Sequence, residues 1–176
     1  LVLPEITLDG VNRATRVEET VAGKGINVAR TIRTLGEQCQ IYLFLGGNIG
    51  NKITQSLNQA HLQHFIWPVF GETRITTVIH EEKLHRHTVI NEEGPIVALE
   101  SSLSLIRSLE NNLKSGDFLV LSGSLPRGLR KDFYSVLIKI AHQKGAYSIL
   151  DSSGIPFQSA LDATPFFIKP NVKEAE

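Results

Sequence analysis

Residues 21–36, VAGKGINVARTIRTLG, join a lysine between two glycines to an asparagine and then to a helical pattern. Gly23 and Gly25 carry no side chain, so a ligand can approach the main chain closely there. The apolar residues that come after them recur at helical spacing, and Gly36 is a typical stop signal. Because unpaired N–H groups and the positive end of the helix dipole meet at a helix N-terminus, this segment favours an anionic or oxygen-rich ligand. The alternative is an ordinary loop-to-helix connection whose glycines only shape a turn.

Three other polar segments each follow an apolar run that is typical of a buried strand: SGSLPRG at 122–128, DSSG at 151–154 and KPNVKE at 169–174. The C-terminal ends of parallel strands meet at one edge of a sheet, so we expect these segments to lie together. Serine, glycine, aspartate and proline are also ordinary turn residues, and any one segment alone could be a plain turn. The sequence predicts a ligand site where the three converge with the lysine–glycine segment.

Strand-like and helical patterns alternate along most of the chain. Apolar runs predict strands over 40–47, 117–124, 146–154 and 166–171, and amphipathic patterns predict helices over 49–60, 103–113 and 131–144. This alternation with short connections predicts an α/β fold with a doubly wound, mostly parallel sheet and helices on both faces.

One stretch, 73–95, lacks a helix between its strand-like runs. Residues 74–80 and 85–90 alternate apolar with polar side chains, and they predict an antiparallel hairpin with a turn near 81–83. Residues 12–21 alternate in the same way and are candidates to pair with this hairpin. We therefore expect a small antiparallel β lid that projects over the parallel sheet.

The predicted organisation is one incomplete domain over 1–176. We place the lid strands at about 1–21 and 65–92 and the α/β core at about 22–64 and 93–176. An exposed lid sheet with apolar side chains such as Ile75, Val78 and Val89 suggests a homodimer that forms through the lid.

The bulk composition excludes several classes of protein. The formal charge is zero over 176 residues, so no overall field draws the chain to nucleic acid or to a membrane, and no apolar run reaches the length of a membrane span. Cys39 is the one cysteine, which rules out an intramolecular disulfide and indicates a reducing, cytoplasmic compartment. The chain begins at Leu1, contains no methionine and ends within a helix-like pattern, so we expect a fragment truncated at both ends.

Taken in order, these segments resemble the PfkB (ribokinase-like) family of carbohydrate kinases. AGKGINVA is similar to the first signature of the family, and SGSLPRG, LDSSG and KPNVKE are similar to its later blocks. The positions that fit the first signature are Ala22, Gly23, Gly25, Asn27, Ala29, Gly36 and Gly46. The resemblance covers essentially the whole chain, and it implies a ribokinase-like fold with a β lid, with ATP and Mg²⁺ as cofactors.

Further segments, VNRATRVEETVAGKGINVAR, ETRI, INEEGP and SGSLP, resemble the hexose-phosphate branch of this family. The branch implies phosphoryl transfer from ATP to a phosphorylated ketohexose, with fructose 1-phosphate giving fructose 1,6-bisphosphate as the leading reaction. Tagatose 6-phosphate and fructose 6-phosphate are the alternative substrates. A phosphorylated substrate needs additional cations, and Arg13 and Arg74 on the two lid segments would supply planar, charge-assisted donors. Arg74 is the stronger candidate, and either arginine could instead be a solvated strand residue.

The resemblance also implies roles for residues of the predicted substrate site. Gly23, Lys24 and Asn27 would hold the sugar hydroxyls, and Ser124 would close the substrate pocket.

On the nucleotide side, the resemblance implies that Lys169, Asn171 and Glu174 act on the ATP phosphates and on the shell of the magnesium ion. The aspartate base of the family, in a Gly-Ala-Gly-Asp block, would lie beyond residue 176. We therefore expect no catalytic base within this chain, and no kinase activity from the chain alone. Asp151 is not assigned a catalytic role, because its block is structural or on the nucleotide side in the family.

Two rival functions stay open at this point. A kinase for an uncharged sugar or a nucleoside would share the fold, although the lid arginines argue against it. A non-catalytic sugar-phosphate-binding protein would need only the substrate half of the site. The histidines at 61, 64, 85 and 87 are interpreted as solvated side chains rather than as direct metal ligands.

Overall fold

A computed structural model describes residues 1–172 of the chain. The helices in this part are α1 Lys24–Thr34, α2 Gly47–Gln59, α3 Leu99–Asn112, α4 Phe133–Lys144 and α5 Gly154–Leu161. The strands are β1 Val2–Leu3, β2 Gln40–Leu45, β3 Gln63–Pro68, β4 Thr76–Glu81, β5 Arg86–Asn91, β6 Phe118–Ser122, β7 Tyr147–Asp151 and β8 Phe167–Ile168. None of the described helices has both the length and the apolar character needed to cross a bilayer.

Two parallel sheets form the body of the molecule. β2 pairs with β3, starting with Gln40 opposite Gln63, and β6, β7 and β8 form the second sheet in that order. Within residues 1–172, no hydrogen-bonded ladder joins one of these sheets to the other. The two sheets nevertheless share a helix, because α1 packs against both β2 and β6.

The two faces of β2 show how the body is packed. Ile41 and Leu45 belong to an apolar cluster with residues of α1 and α2. Tyr42 and Phe44, which alternate with them, pack against a larger cluster that includes Leu150 and residues of α3, α4 and α5. Because successive side chains of a strand point to opposite faces, helices lie on both sides of the sheet. The predicted α/β fold with parallel strands and helices on both faces is confirmed.

β1, β4 and β5 form the lid sheet. β4 and β5 pair antiparallel, with Val78 opposite Val89, as the alternating pattern predicts. The turn falls later than expected, because β4 continues through Glu81 before the chain reverses. β1 joins β4 in parallel. Of the segment 12–21, the described structure contributes one bridge to the lid, between Arg16 and Val2.

The lid begins later in the chain than the predicted range 65–92. Residues 65–68 lie in β3, which pairs along its whole length with β2 in the body. The aromatic side chains account for this placement: the Phe65 and Trp67 rings lie 5.1 and 5.8 Å from the Tyr42 ring, between centroids. Trp67 Nε1 also donates a hydrogen bond to Ser104 Oγ on α3 (2.9 Å). β3 is therefore fixed between body elements, and residues 69–75 connect it to the lid.

Glu81 anchors the lid from inside. Its side chain is fully buried, and the Arg86 guanidinium donates to both of its oxygens, from Nε to Oε2 (2.7 Å) and from Nη2 to Oε1 (3.0 Å). The backbone N–H of Ile6 also donates to Glu81 Oε1 (3.0 Å). These hydrogen bonds, those from Arg86 first, lower the pKa of Glu81 below its ordinary value. The carboxylate thus joins the hairpin to the loop that follows β1.

Candidate functional site

The lysine–glycine segment forms the start of α1. Gly23 is the residue before the helix, and its φ of 148° lies in a region that other residues rarely adopt. Asn27 N donates to Gly23 O (2.9 Å) as the first helical bond, and no side-chain hydrogen bond caps this end in the described part of the chain. A side chain at Gly25 would meet no atom within 4 Å. α1 therefore presents an open N-terminus to a ligand.

Lys24, Asp151 and Lys169 form a charged cluster at the C-terminal edge of β7 and β8. Lys24 Nζ lies 2.9 Å from Asp151 Oδ1, and Lys169 Nζ lies 3.9 Å from the same oxygen. The Asp151 side chain is 16% exposed, whereas that of Lys24 is 48% exposed. Lys169 follows β8, where its backbone N–H donates to Leu150 O (3.0 Å). One carboxylate thus contacts the lysine predicted for the substrate and lies near the lysine predicted for the nucleotide.

Arg74 and Ser124 meet at the same edge of the sheet. Arg74 Nη2 donates to Ser124 Oγ (3.0 Å), across 50 residues of sequence. The segment around Ser124 is fixed to the end of β7, because Gly123 N donates to Asp151 O (2.9 Å) and Ser152 Oγ donates to Gly123 O (2.9 Å). We call the residues Lys24, Arg74, Ser124, Asp151 and Lys169 the rim cluster.

A buried tyrosine supports the rim cluster from below. Tyr134 OH, on α4, donates to Gly123 O (3.1 Å). Burial raises the pKa of Tyr134 to about 12, and the negative charge of Asp151 acts in the same direction. The hydroxyl therefore stays protonated at neutral pH and acts as a permanent donor to the loop that carries Ser124.

A cleft of about 480 Å³ opens beside Ser124. Its walls include Arg127, Lys131 and Ser153, together with apolar residues of the segment 125–129. Arg127 Nη1 is paired with Glu93 Oε2 (2.9 Å) at the surface. A second cavity, of about 230 Å³, is lined by Arg33, Cys39 and His61 among others and lies at the opposite, N-terminal ends of β2 and β3. The cleft beside Ser124 is the one that adjoins the rim cluster.

Four other residues predicted for the site are not among those named in the rim cluster. Arg13 is exposed in the loop after β1, and its side chain has no hydrogen bond or ion pair with another described residue. Asn27 lies exposed in the first turn of α1, and Asn171 is exposed just after β8. Glu174 falls outside residues 1–172, which the structure describes. The roles of all four stay predictions.

The donor set at the rim cluster can be compared with what Mg²⁺ and ATP require. Among residues 1–172, no group of three or more His, Cys, Asp or Glu side chains is placed to hold a metal ion. Mg²⁺ commonly takes one or two protein carboxylates and completes its shell with phosphate oxygens and water. Asp151 would supply one carboxylate, and Lys24 and Lys169 would supply cations for phosphate. The cluster therefore fits a magnesium ion that arrives with a nucleotide, and it does not fit a metal held by side chains alone.

Asp151 belongs to the rim cluster, although the family resemblance assigns it no catalytic role. Its signal was present, because it is the last residue of a strand whose C-terminal end was expected at the ligand edge. The missing information was its partner: Lys24 lies 127 residues earlier in the chain.

Comparison with known proteins identifies the family. The profile of the pfkB family carbohydrate kinases matches residues 3–176. The chain belongs to this family. Phosphofructokinase-2 from Escherichia coli, in complex with fructose-6-phosphate, superposes with a TM-score of 0.88 at 29% sequence identity, and the match covers 98% of this chain and 57% of that one.

Two further solved structures share the fold. A putative phosphofructokinase from Staphylococcus aureus gives a TM-score of 0.78 at 32% identity, and the match covers 98% of this chain and 55% of that one. A possible 1-phosphofructokinase from Thermotoga maritima gives a TM-score of 0.83 at 23% identity, over 98% of this chain and 56% of that one. The chain thus spans between 55% and 57% of the length of these three structures.

Proposed function

We propose that the full-length protein is an ATP-dependent kinase for a phosphorylated ketohexose, with fructose 1-phosphate as the first substrate and fructose 1,6-bisphosphate as its product. The observation that carries the proposal is the Arg74–Ser124 contact of 3.0 Å. It brings a guanidinium from the segment that connects β3 to the lid to the strand edge where Lys24 also lies. A guanidinium matches the paired oxygens of a phosphate group, whereas an uncharged sugar would leave it without an anionic partner.

Fructose 6-phosphate is the second candidate substrate. The Escherichia coli phosphofructokinase-2 solved with that sugar phosphate shares 29% identity with this chain, compared with 23% for the possible 1-phosphofructokinase from Thermotoga maritima. Tagatose 6-phosphate is the third candidate. Fructose 6-phosphate and tagatose 6-phosphate differ in configuration at C4, and fructose 1-phosphate carries its phosphate at the other end of the sugar. Contacts of the site with the C4 hydroxyl and with the phosphate would therefore choose between them.

Each residue on the substrate side has a proposed role. Lys24 would exchange the Asp151 carboxylate for oxygens of the substrate, since its ammonium is already held at that edge. Asn27 and Ser124 would form hydrogen bonds with sugar hydroxyls. The backbone N–H groups that follow Gly23 would donate to ligand oxygens that approach the main chain closely. Arg13 stays a prediction as a second contact to the phosphate. Closure of the lid over this edge would exclude water, which otherwise competes as an acceptor.

On the nucleotide side, we propose that Lys169, Asn171 and Glu174 bind the ATP phosphates and the water shell of the cation. Magnesium, when bound, offsets the negative charge of the phosphates. We assign no catalytic base within the chain and propose that residues beyond Glu176 supply it. The chain alone is then expected to be inactive, since phosphoryl transfer depends on complete positioning and charge stabilisation.

The decisive experiment is a substrate panel with the full-length protein and MgATP, read as ADP release. We expect the highest kcat/KM with fructose 1-phosphate or fructose 6-phosphate, and much lower values with fructose, ribose and adenosine. A preference for an uncharged acceptor would overturn the phosphohexose assignment. Binding of a phosphohexose without turnover would favour the non-catalytic binding protein.

The role of Arg74 is tested within the same panel. Arg74→Ala should lower kcat/KM for the phosphohexose about ten- to hundredfold, because a charge-assisted contact contributes roughly 1.5–3 kcal/mol. The KM for ATP should change little. Arg107→Ala, which removes an exposed arginine of α3, is the matched control. Equal damage toward ATP and the sugar phosphate would indicate a folding defect instead.

We also propose a homodimer that forms through the lid, in a reducing, cytoplasmic compartment. Val78 and Val89 are cross-strand partners on one face of the lid, and their side chains are 45% and 49% exposed. Burying such a face against a second copy would remove apolar surface from water. Sedimentation of the full-length protein as a monomer at micromolar concentration would contradict the dimer.

A further inference from the structure

The side chain of Glu72, in the segment after β3, binds the N-terminus of α2. Its Oε1 accepts a hydrogen bond from Asn48 N (3.0 Å), and its Oε2 accepts one from Ile49 N (3.0 Å). Gly47 has a φ of 66°, and a side chain there would collide with the Glu72 carboxylate. The two backbone N–H groups lower the pKa of Glu72 below its ordinary value, that of Ile49 most. The segment that leaves β3 is thus tied to the body through the first turn of α2.

Thr73 adds a second tie at the same place. Gly46 N donates to Thr73 Oγ1 (2.8 Å), and Thr73 N donates to Gly46 O (3.0 Å). On the other side of Arg74, Ile75 N donates to Glu92 Oε2 (2.9 Å) beside the lid. Arg74 is therefore flanked by fixed backbone in both directions, and its guanidinium reaches Ser124.

The two helix starts of the body differ in what they offer an anion. At α2 the N–H groups of Asn48 and Ile49 already donate to the Glu72 carboxylate, which stands where an external phosphate would bind. Among the side chains of residues 1–172, none accepts a hydrogen bond from the first turn of α1, and Lys24 lies in that turn. A carboxylate at a helix N-terminus is favourable but contributes little when exposed, and Glu72 is exposed. Glu72 and Ile49 are 23 residues apart in the chain, so their hydrogen bond ties two segments together. The segment that is held in this way carries Arg74, two residues after Glu72.

We propose that Glu72 is a positioning residue for Arg74: by binding the first turn of α2, it holds the segment 72–74 so that the guanidinium stays at the strand edge beside Ser124. This inference rests on the proposed function, because Arg74 is there the ligand of the substrate phosphate. Glu72 itself contacts no substrate group. Its loss should change the placement of Arg74 while the body of the fold stays intact.

The first test needs no substrate. In the full-length protein, the rate at which phenylglyoxal labels Arg74 is measured by mass spectrometry of the corresponding peptide. Glu72→Ala should release Arg74 from Ser124 and raise this rate, and Glu72→Gln, whose amide oxygen can still accept one N–H, should lie between Glu72→Ala and wild type. Glu100→Ala, which removes an exposed carboxylate from the first turn of α3, is the matched control and should not change it. An unchanged rate in both Glu72 variants would overturn the proposal.

The second test is a double-mutant cycle on phosphohexose kinetics. Glu72→Ala should lower kcat/KM about tenfold, since misplacing a binding group by about 1 Å can cost roughly hundredfold. The loss should appear mainly as a higher KM for the phosphohexose, and the KM for ATP should stay unchanged. If Glu72 acts through Arg74, Glu72→Ala should add little in the Arg74→Ala background, whereas fully additive losses would overturn the proposal.

Failure of the proposed function is distinguishable from failure of this inference. If the wild-type protein neither binds nor phosphorylates a phosphohexose, the proposed function fails, and the labelling rates still decide whether Glu72 holds Arg74. If the protein is a phosphohexose kinase and labelling is unchanged, only the role of Glu72 fails. Should Glu72→Ala prove unstable, Glu72→Gln carries both tests.

Discussion

The α/β body and the lid of this molecule are stabilised by different interactions. In the body, two apolar clusters contain fully buried side chains such as Leu57, Ile138 and Leu150. In the lid, Val78 and Val89 are about half exposed, Leu3 is buried, and the carboxylate of Glu81 is fully buried. Body residues are therefore held by packing, and the lid is held mainly by hydrogen bonds and an ion pair. This difference is consistent with a rigid strand edge in the body and a lid sheet that can open over it.

The largest effect should come from the body. Leu150 is fully buried in β7, directly before Asp151, and Leu150→Ala should lower the free energy of unfolding by about 2–5 kcal/mol. Val89→Ala, in the half-exposed lid, should change it by no more than about 0.5 kcal/mol. Urea denaturation of the full-length protein measures both values.

If Leu150→Ala and Val89→Ala lowered the free energy of unfolding by similar amounts, body and lid would not differ in how they are stabilised. They would mean that the lid face is covered in solution, for example by a second copy of the chain. Repeating the measurement over a range of protein concentrations tests that explanation, because dimer stability depends on concentration.

An intermediate effect should appear in the lid on acidification. The folded pKa of Glu81 is lowered from its ordinary 4.5, so its contribution to stability is present above pH 4.5 and is lost as the pH falls through the lower, folded value. The pKa of Glu72 is lowered in the same direction, so the tie at α2 weakens in the same window below pH 4.5. We expect hydrogen-exchange protection of β4 and β5 to fall below pH 4.5 while β6 and β7 stay protected.

A substitution gives the control for this pH effect. Glu81→Gln removes the charge that Arg86 pairs with, so the lid should lose protection already at neutral pH, and further acidification should then change it little. If lid and body lose protection together in the wild-type protein, the two regions form one cooperative unit and the comparison fails.

The sequence predicts the body better than the lid, for a physical reason. β2, β6, β7 and α4 were expected within a few residues of their observed bounds, because a buried strand or an amphipathic helix imposes its period on the sequence. β3 was partly assigned to the lid, since the run QHFIWP indicates a strand but not its partner. α5, Gly154–Leu161, was not expected at all, because it is short and has a proline in its first turn.

Candidate site residues obey the same rule. The common edge for Ser124, Asp151 and Lys169 followed from the parallel-strand argument, and the observed contacts bring these residues together with Lys24 and Arg74. The sequence does not predict the contacts that hold them, such as the hydrogen bond from Ile49 N to Glu72 or the ion pair of Lys24 with Asp151. Each of these contacts joins residues that are distant in the chain. The period of the sequence predicts on which face of a helix or strand a residue lies, whereas its contact partner is known only from the folded structure.

A small stability effect is expected at the polar rim of the body, where Lys24 meets Asp151. Lys24→Ala should lower the free energy of unfolding by less than about 1 kcal/mol, because Lys24 is 48% exposed and water screens the pair. Lys169 Nζ, at 3.9 Å, still offsets part of the Asp151 charge. Lys52→Ala breaks an exposed pair with Glu19 and should cost about as little. Phosphohexose affinity should separate the two variants, falling only for Lys24→Ala. A stability loss well above that of Lys52→Ala would instead mean that Asp151 behaves as a buried charge which needs its lysine to fold, and the rim would then belong with the packed body.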